Sequence, residues 1–127
     1  MRIELVLPWP PSANQMYRHV GAKVLISERG RKYRLEVAEV LARAGSPRLK
    51  GALSLTLLVF PPDNRRRDLD GLPKNLQDSL MLARLFEDDS QIVELHVLKR
   101  ANTPGGRVLA VVEEIETNAT KEGNCHG

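Results

Sequence analysis

The 127 residues predict an α+β fold: one domain whose mixed sheet is backed by two helices. Three observations carry that expectation. Several short stretches are apolar at strand length or alternate with a period of two. Two longer ones repeat apolar residues at helical spacing, and Pro/Gly-rich clusters separate them all. The predicted order is β-α-β-α-β-β, with residues 1–116 forming the domain and the polar tail 117–127 disordered.

The first strand is "RIELVLP", where Ile3, Leu5 and Leu7 alternate with Arg2, Glu4 and Val6. "PWPPSANQMYRHVGAK" follows, and its three prolines, Ser, Asn and Gly read as a loop with Trp9 as a packing anchor. Ser27 is placed to cap a helix running to about Ala44, with Tyr33, Val37, Leu41 and Ala44 on its inner face. Arg31, Lys32, Arg34 and Glu36 take the outer face, and Gly45 and Pro47 stop the helix. "GALSLTLLVF" is the strongest strand, ended by Pro61-Pro62. A second helix begins near Asp70, with Leu72, Leu76, Leu80 and Ala83 at helical spacing. Pro73 fits there because first-turn N–H groups have no intrahelical partner. "QIVELHVLKR" and "RVLAVVEEIE" are two further strands, and "ANTPGG" between them reads as a hairpin turn. His96, in mid-strand, is expected as a surface or packed imidazole.

Composition narrows the function classes. No apolar run approaches the roughly 18 residues of a membrane span, and the N-terminus does not read as a signal peptide, so a cytoplasmic protein is expected. Cys125 is the single cysteine, which excludes an internal disulfide. Hydrophobic content of 42% and charged content of 28% are ordinary for a globular chain. The net charge of +3 conceals an asymmetry: residues 1–67 carry 13 Lys+Arg against 5 Asp+Glu, residues 68–127 carry 6 against 11. A basic half joined to an acidic half points to a polyanionic partner and a separate carboxylate-rich function.

That function is concentrated in "PPDNRRRDLDGLPKNLQD", residues 61–78. Residues two apart in extended chain share a side, so Asp68 and Asp70 can converge on one site. Carboxylate oxygens suit a hard cation such as Mg²⁺. Lys74 lies one helical turn beyond Asp70, on the same face. "LFEDDSQ" offers a third carboxylate, from Asp88 or Asp89, and periodicity does not choose between them. Arg65, Arg66 and Arg67, with Arg29, Arg31, Lys32 and Arg34 on the first helix, are placed to grip backbone phosphates. The bland alternative is a charge-balanced loop, with Asp70 an ordinary cap and Lys74 its i+4 partner. No Ser/His/Asp, CxxC or glycine-rich phosphate loop competes, so any chemistry is expected to be that of carboxylates and a metal.

At these residues the chain resembles the RusA-type Holliday junction resolvases. The likeness runs from "LPWPPSANQMYRH" through "SERGRKYR", "RRRDLDGLPK" and "EDDSQIVEL" to "GGRVLAVVEE". The resemblance implies that Asp68, Asp70 and Asp89 bind Mg²⁺, which Mn²⁺ can replace, and that Lys74 is essential. It also implies a homodimer acting on four-way DNA junctions in recombination and repair. Gly71 stands where the family usually has Asn, and Pro73 is unusual. Two rivals stay open: a nuclease for other branched DNA such as flaps and forks, and a non-catalytic DNA-binding module.

Overall fold

Leu53, Leu55, Leu57 and Val59 are fully buried, and Ser54, Thr56, Leu58 and Phe60 between them are half-buried. This alternation belongs to the central strand of the sheet. The computed structural model describes residues 1–65 and 71–116. In chain order these form β1 (Arg2–Pro8), α1 (Ala13–Met16), β2 (Tyr17–Val20), β3 (Lys23–Ile26), α2 (Glu28–Arg43), β4 (Leu53–Phe60) and α3 (Leu72–Leu82). A 3₁₀ turn (Asp89–Gln91), β5 (Ile92–Lys99) and β6 (Arg107–Glu114) follow. The expected tail 117–127 lies outside the described residues.

The main sheet has the order β1-β6-β4-β5. β6 is antiparallel to both β1 and β4, whereas β5 is parallel to β4. Parallel neighbours cannot be joined by a tight turn, and α3 supplies the crossover. One sheet face, carrying Leu5, Leu7, Leu55, Leu57, Val108, Ala110 and Val112, joins Tyr33, Val37 and Leu41 of α2 and Leu76 and Leu80 of α3 in one core. At about 1.5–3 kcal/mol for each fully buried large aliphatic side chain, this cluster is the main stabilising term.

Three expectations are corrected. β5 and β6 do not form a hairpin, because β4 lies between them. β4 is the most completely apolar strand and takes two neighbours, so the link 100–106 must step across its end. Arg100 N–H donates to the Val59 carbonyl and Thr103 N–H to Pro61. Gly105 and Gly106 turn with positive φ, and a Cβ at Gly106 would lie 3.0 Å from that of Trp9.

The segment 8–23 is not all loop. It contains α1, and β2 paired with β3 through a two-residue turn led by Gly21 at φ 61°. Most residues of that ribbon are exposed, so no one-sided burial pattern marks it in the sequence. Ala44 is exposed and ends α2 as its C-cap instead of joining the buried face.

Ser27 is the expected N-cap, accepting from Gly30 N–H at 3.0 Å. Its hydroxyl also reaches the Gln15 and Met16 carbonyls, binding the end of α1 to the start of α2. Gly30 is buried under that junction. A Cβ there would run into the Met16 carbonyl and approach the Ile26 side chain to 2.8 Å. Gly30→Ala is therefore expected to destabilise the fold by about 1–3 kcal/mol, the usual cost of overpacking. Thermal unfolding of the variant beside wild type checks this.

Candidate functional site

Pro8 and Phe60 end β1 and β4 at the same edge of the sheet, since both strands run antiparallel to β6. The Trp9–Pro11 segment, Pro62 and Gly105 emerge there and wall an open groove of about 820 Å³. One side of the groove is α2, which presents Arg29, Lys32, Tyr33 and Glu36 at i, i+3, i+4 and i+7. The other includes Gly71, Leu72 and Asn75 from the start of α3. Arg65 and Gly71, the described residues on either side of 66–70, both line it. Arg66, Arg67, Asp68 and Asp70 themselves lie outside the described residues.

Buried contacts hold the walls in place. Tyr33 Oη donates to the Pro8 carbonyl at 2.8 Å, fixing α2 against the end of β1. Burial, reinforced by the nearby Glu36 carboxylate, pushes the Tyr33 phenol well above its ordinary range, so it stays a donor. Asn75, nearly fully buried, directs its amide toward the Pro11 carbonyl at 3.4 Å. Trp9 is half-buried against the core and also lines the groove, so packing and an exposed ring edge coexist. Tyr33 and Asn75 were readable only as core or helix residues, because their role depends on the proline segment that folds over them.

The basic cluster of α2 divides. Arg29 and Lys32 face the groove, whereas Arg31 and Arg34 line a second, shallower depression with Leu35 and Leu82. Arg31 donates to the Ile26 carbonyl at 3.1 Å. Lys74 is exposed in the first turn of α3 and is not part of the groove wall. Gly71 precedes that helix without a side-chain cap, and Pro73 occupies its first turn, as expected.

Asp88 and Asp89 differ in role. Asp88 caps the 3₁₀ turn, accepting from Ser90 N–H at 3.0 Å. That backbone hydrogen bond, with help from the Asp89 side chain, holds its carboxyl below the usual range. Gln91 closes the capping box by accepting from Asp88 N–H, and its amide donates to the Gly51 carbonyl at 3.0 Å. Asp89 is exposed at the first position of the turn.

The topology also separates these carboxylates from the groove within one chain. β5 is parallel to β4 and Ile92 pairs with Leu53, so Asp88 and Asp89 lie where β4 begins. The groove lies where β4 ends, about 23 Å of strand away at 3.3 Å per residue. Among the described residues, no three His, Cys, Asp or Glu side chains gather into a metal-binding group. No helix among them is long and apolar enough to cross a membrane. His96 is a surface imidazole beside Glu94, at 3.8 Å.

Residues 8–112 match the family described as endodeoxyribonuclease RusA. This chain belongs to that family. A crossover junction endodeoxyribonuclease of Enterobacteria phage HK97 is 37% identical over 115 residues, covering 90% of this chain and 96% of the phage protein. The enzyme of that name from Escherichia coli K12 is 38% identical over 112 residues, covering 87% and 93%. That of Enterobacteria phage 82 is likewise 38% identical, over 120 residues. Residues 8–112 contain the groove lining, both acidic stretches, β4, β5 and most of β6, but only Pro8 of β1.

Tyr33→Phe removes the hydroxyl and leaves the Pro8 carbonyl without its donor. The expected loss is about 1–3 kcal/mol, the cost of an unsatisfied buried acceptor. A lowered unfolding midpoint with an unchanged circular dichroism spectrum checks it.

Proposed function

We propose that this chain is a magnesium-dependent endodeoxyribonuclease that resolves four-way (Holliday) DNA junctions by paired, symmetric nicks in recombination and repair. Family membership supports the reaction class, and the groove supports the substrate. The single observation that carries the reading is that Arg65 and Gly71, which bracket "RRDLD", both line a groove whose α2 wall presents Arg29 and Lys32.

The donor set fits a hard divalent cation: Asp68, Asp70 and Asp89 offer carboxylate oxygens, and no soft ligand is near them in sequence. Asp88 is committed to capping, which favours Asp89 as the third ligand. Asp89 lies at the far end of β4 from the groove of its own chain, which supports action as a homodimer. Asp68 and Asp70 of one chain are then completed by the partner's Asp89. Magnesium, or manganese in its place, would supply a more acidic bound water and a polarised phosphate.

The chain's own residues do the rest. Arg65, Arg66 and Arg67 grip phosphates on one side of the scissile bond, and Arg29 and Lys32 hold the backbone against α2. Lys74 stabilises charge developing on the phosphate or orients the attacking water. Arg31 and Arg34, on the neighbouring face, contact flanking duplex. Two-fold pairing supplies two matching sites for two symmetric cuts.

Asp70→Asn keeps the side chain's shape and capping ability while removing a charge and a hard ligand. The expected variant is folded and binds a four-way junction at least as tightly as wild type, yet does not cut it at any Mg²⁺ concentration. Near-normal cutting would reduce "RRRDLD" to a balanced loop. Mixing Asp70→Asn with Asp89→Asn chains should restore nicking, because a mixed dimer keeps one intact shared site. If each chain carried its own complete site, the mixture would stay inactive.

Junction affinity should fall steeply with salt, by about 0.9 in log–log slope for each phosphate neutralised. Replacing Arg29 and Lys32 together by alanine is expected to flatten that slope by about two. Titrations at several salt concentrations measure it, and an unchanged slope would remove α2 from the DNA contact.

A further inference from the structure

We propose that the β2–β3 ribbon recognises the branch point of the junction, with its apolar tip wedged against the base pairs there and its cations on the flanking phosphates. The inference rests on the nuclease reading above. It adds the device that tells a four-way junction from linear duplex.

The ribbon is seated beside the groove. Asn14 and Gln15 of α1 line that groove, and β2 leaves α1 directly at Tyr17. Ser27 N–H donates to the Met16 carbonyl at 2.8 Å, closing the base of the ribbon over the buried Gly30. Tyr17 and Ile26, opposed at that base, are half-buried, and Tyr17 packs on the core. Two strands alone are marginal in water, so this seat keeps the ribbon formed. Every residue from Arg18 to Leu25 beyond it is exposed. Three residue pairs, about 10 Å of ribbon at ~3.4 Å per residue, therefore stand clear of the core.

Two independent features of that free portion point to DNA. Residues 5–27 contain Arg18, His19 and Lys23 and no Asp or Glu, which suits a polyanion. The second feature is apolar: Val20 is 45% exposed, Val24 58% and Leu25 43%. Opposed residues in an antiparallel pair share a face. Val20 thus lies with Lys23, Arg18 and Leu25 on one face, and Val24 lies with His19 on the other. Gly21 and Ala22 join them, so the tip is apolar on both faces.

That two-sidedness decides how DNA is met. A ribbon lying in a duplex groove turns only one face to the base edges. A wedge between base pairs is covered on both. Continuous duplex resists such a wedge because its steps must be unstacked. At the centre of a four-way junction the helices are already interrupted, and the bordering base pairs part more readily. Arg18 and Lys23 stand on one face at different heights, placed to reach phosphates flanking the wedge.

Val20→Thr combined with Val24→Thr keeps two β-branched side chains and every charge. Junction affinity should fall about tenfold, as for two methyl groups left unburied. Affinity for linear duplex and the salt slope of junction binding should stay as in wild type. Arg18→Ala with Lys23→Ala should instead weaken junction and duplex together and flatten the slope by about two. Ala22→Cys in a Cys125→Ser background, carrying a short aryl azide, should photo-crosslink to nucleotides bordering the branch point. This cross-link decides alone if the threonine pair loses its folded circular dichroism spectrum. Equal weakening of junction and duplex by the threonine pair would make the ribbon an ordinary groove contact and overturn the proposal. So would attachment of the azide only to duplex arms or only to a second protein chain. Wild-type junction selectivity retained in a folded threonine pair removes the proposal and leaves the nuclease reading standing. A wild-type chain that neither prefers nor cuts four-way junctions overturns both.

Discussion

The parallel pairing of β4 with β5 is the constraint on which the rest of the molecule depends. Two parallel neighbours need a connection that returns the chain to the starting end of the sheet, and α3 is that connection. Everything leaving β4 therefore gathers at one end: Pro61, Arg65 and the start of α3. Everything preparing β5 gathers at the other, including the Asp88 cap and Asp89. An antiparallel β4–β5 hairpin would have collapsed this distance. The parallel one places Arg65 and Gly71 at one end of the sheet and Asp88 and Asp89 at the other.

The groove gains its shape from buried contacts that are individually modest. The Ser27 hydroxyl joins α1 to α2, the Tyr33 hydroxyl joins α2 to β1, and the Asn75 amide reaches toward the proline segment. Gly106 lets the β5–β6 link press against Trp9 and Pro62. A site for a highly charged, stiff ligand benefits from such walls, because phosphate contacts then cost little ordering of the protein. Arg29 and Lys32 lie on the helix that Tyr33 anchors, so their positions follow from core packing four residues and one residue away.

The charge asymmetry of the chain follows the same geometry. The basic first half of the chain supplies the α2 wall and Arg65, whereas the acidic second half supplies the turn before β5. Within one chain both halves line the groove, the second through Gly71, Leu72, Asn75 and Gly105, whereas Asp88 and Asp89 lie at the other end of the sheet.

Much of this was legible in the amino-acid sequence alone. Alternation identified β1 and β4, Ser27 and Gly45 bounded α2, and the spacing of Leu72, Leu76 and Leu80 located α3, because each signal is local and reports which side of an element is buried. Arg29, Lys32 and Arg65, which line the groove, stood out for a related reason: charged side chains contrast with a patterned core. The β2–β3 ribbon was not, since an exposed ribbon leaves no such pattern. Nor was the strand order. Which strands become neighbours depends on contacts between residues far apart in the chain, and only the tertiary structure could insert β4 between β5 and β6. That insertion settled which end of the sheet Asp88 and Asp89 occupy and which strand edge was left open.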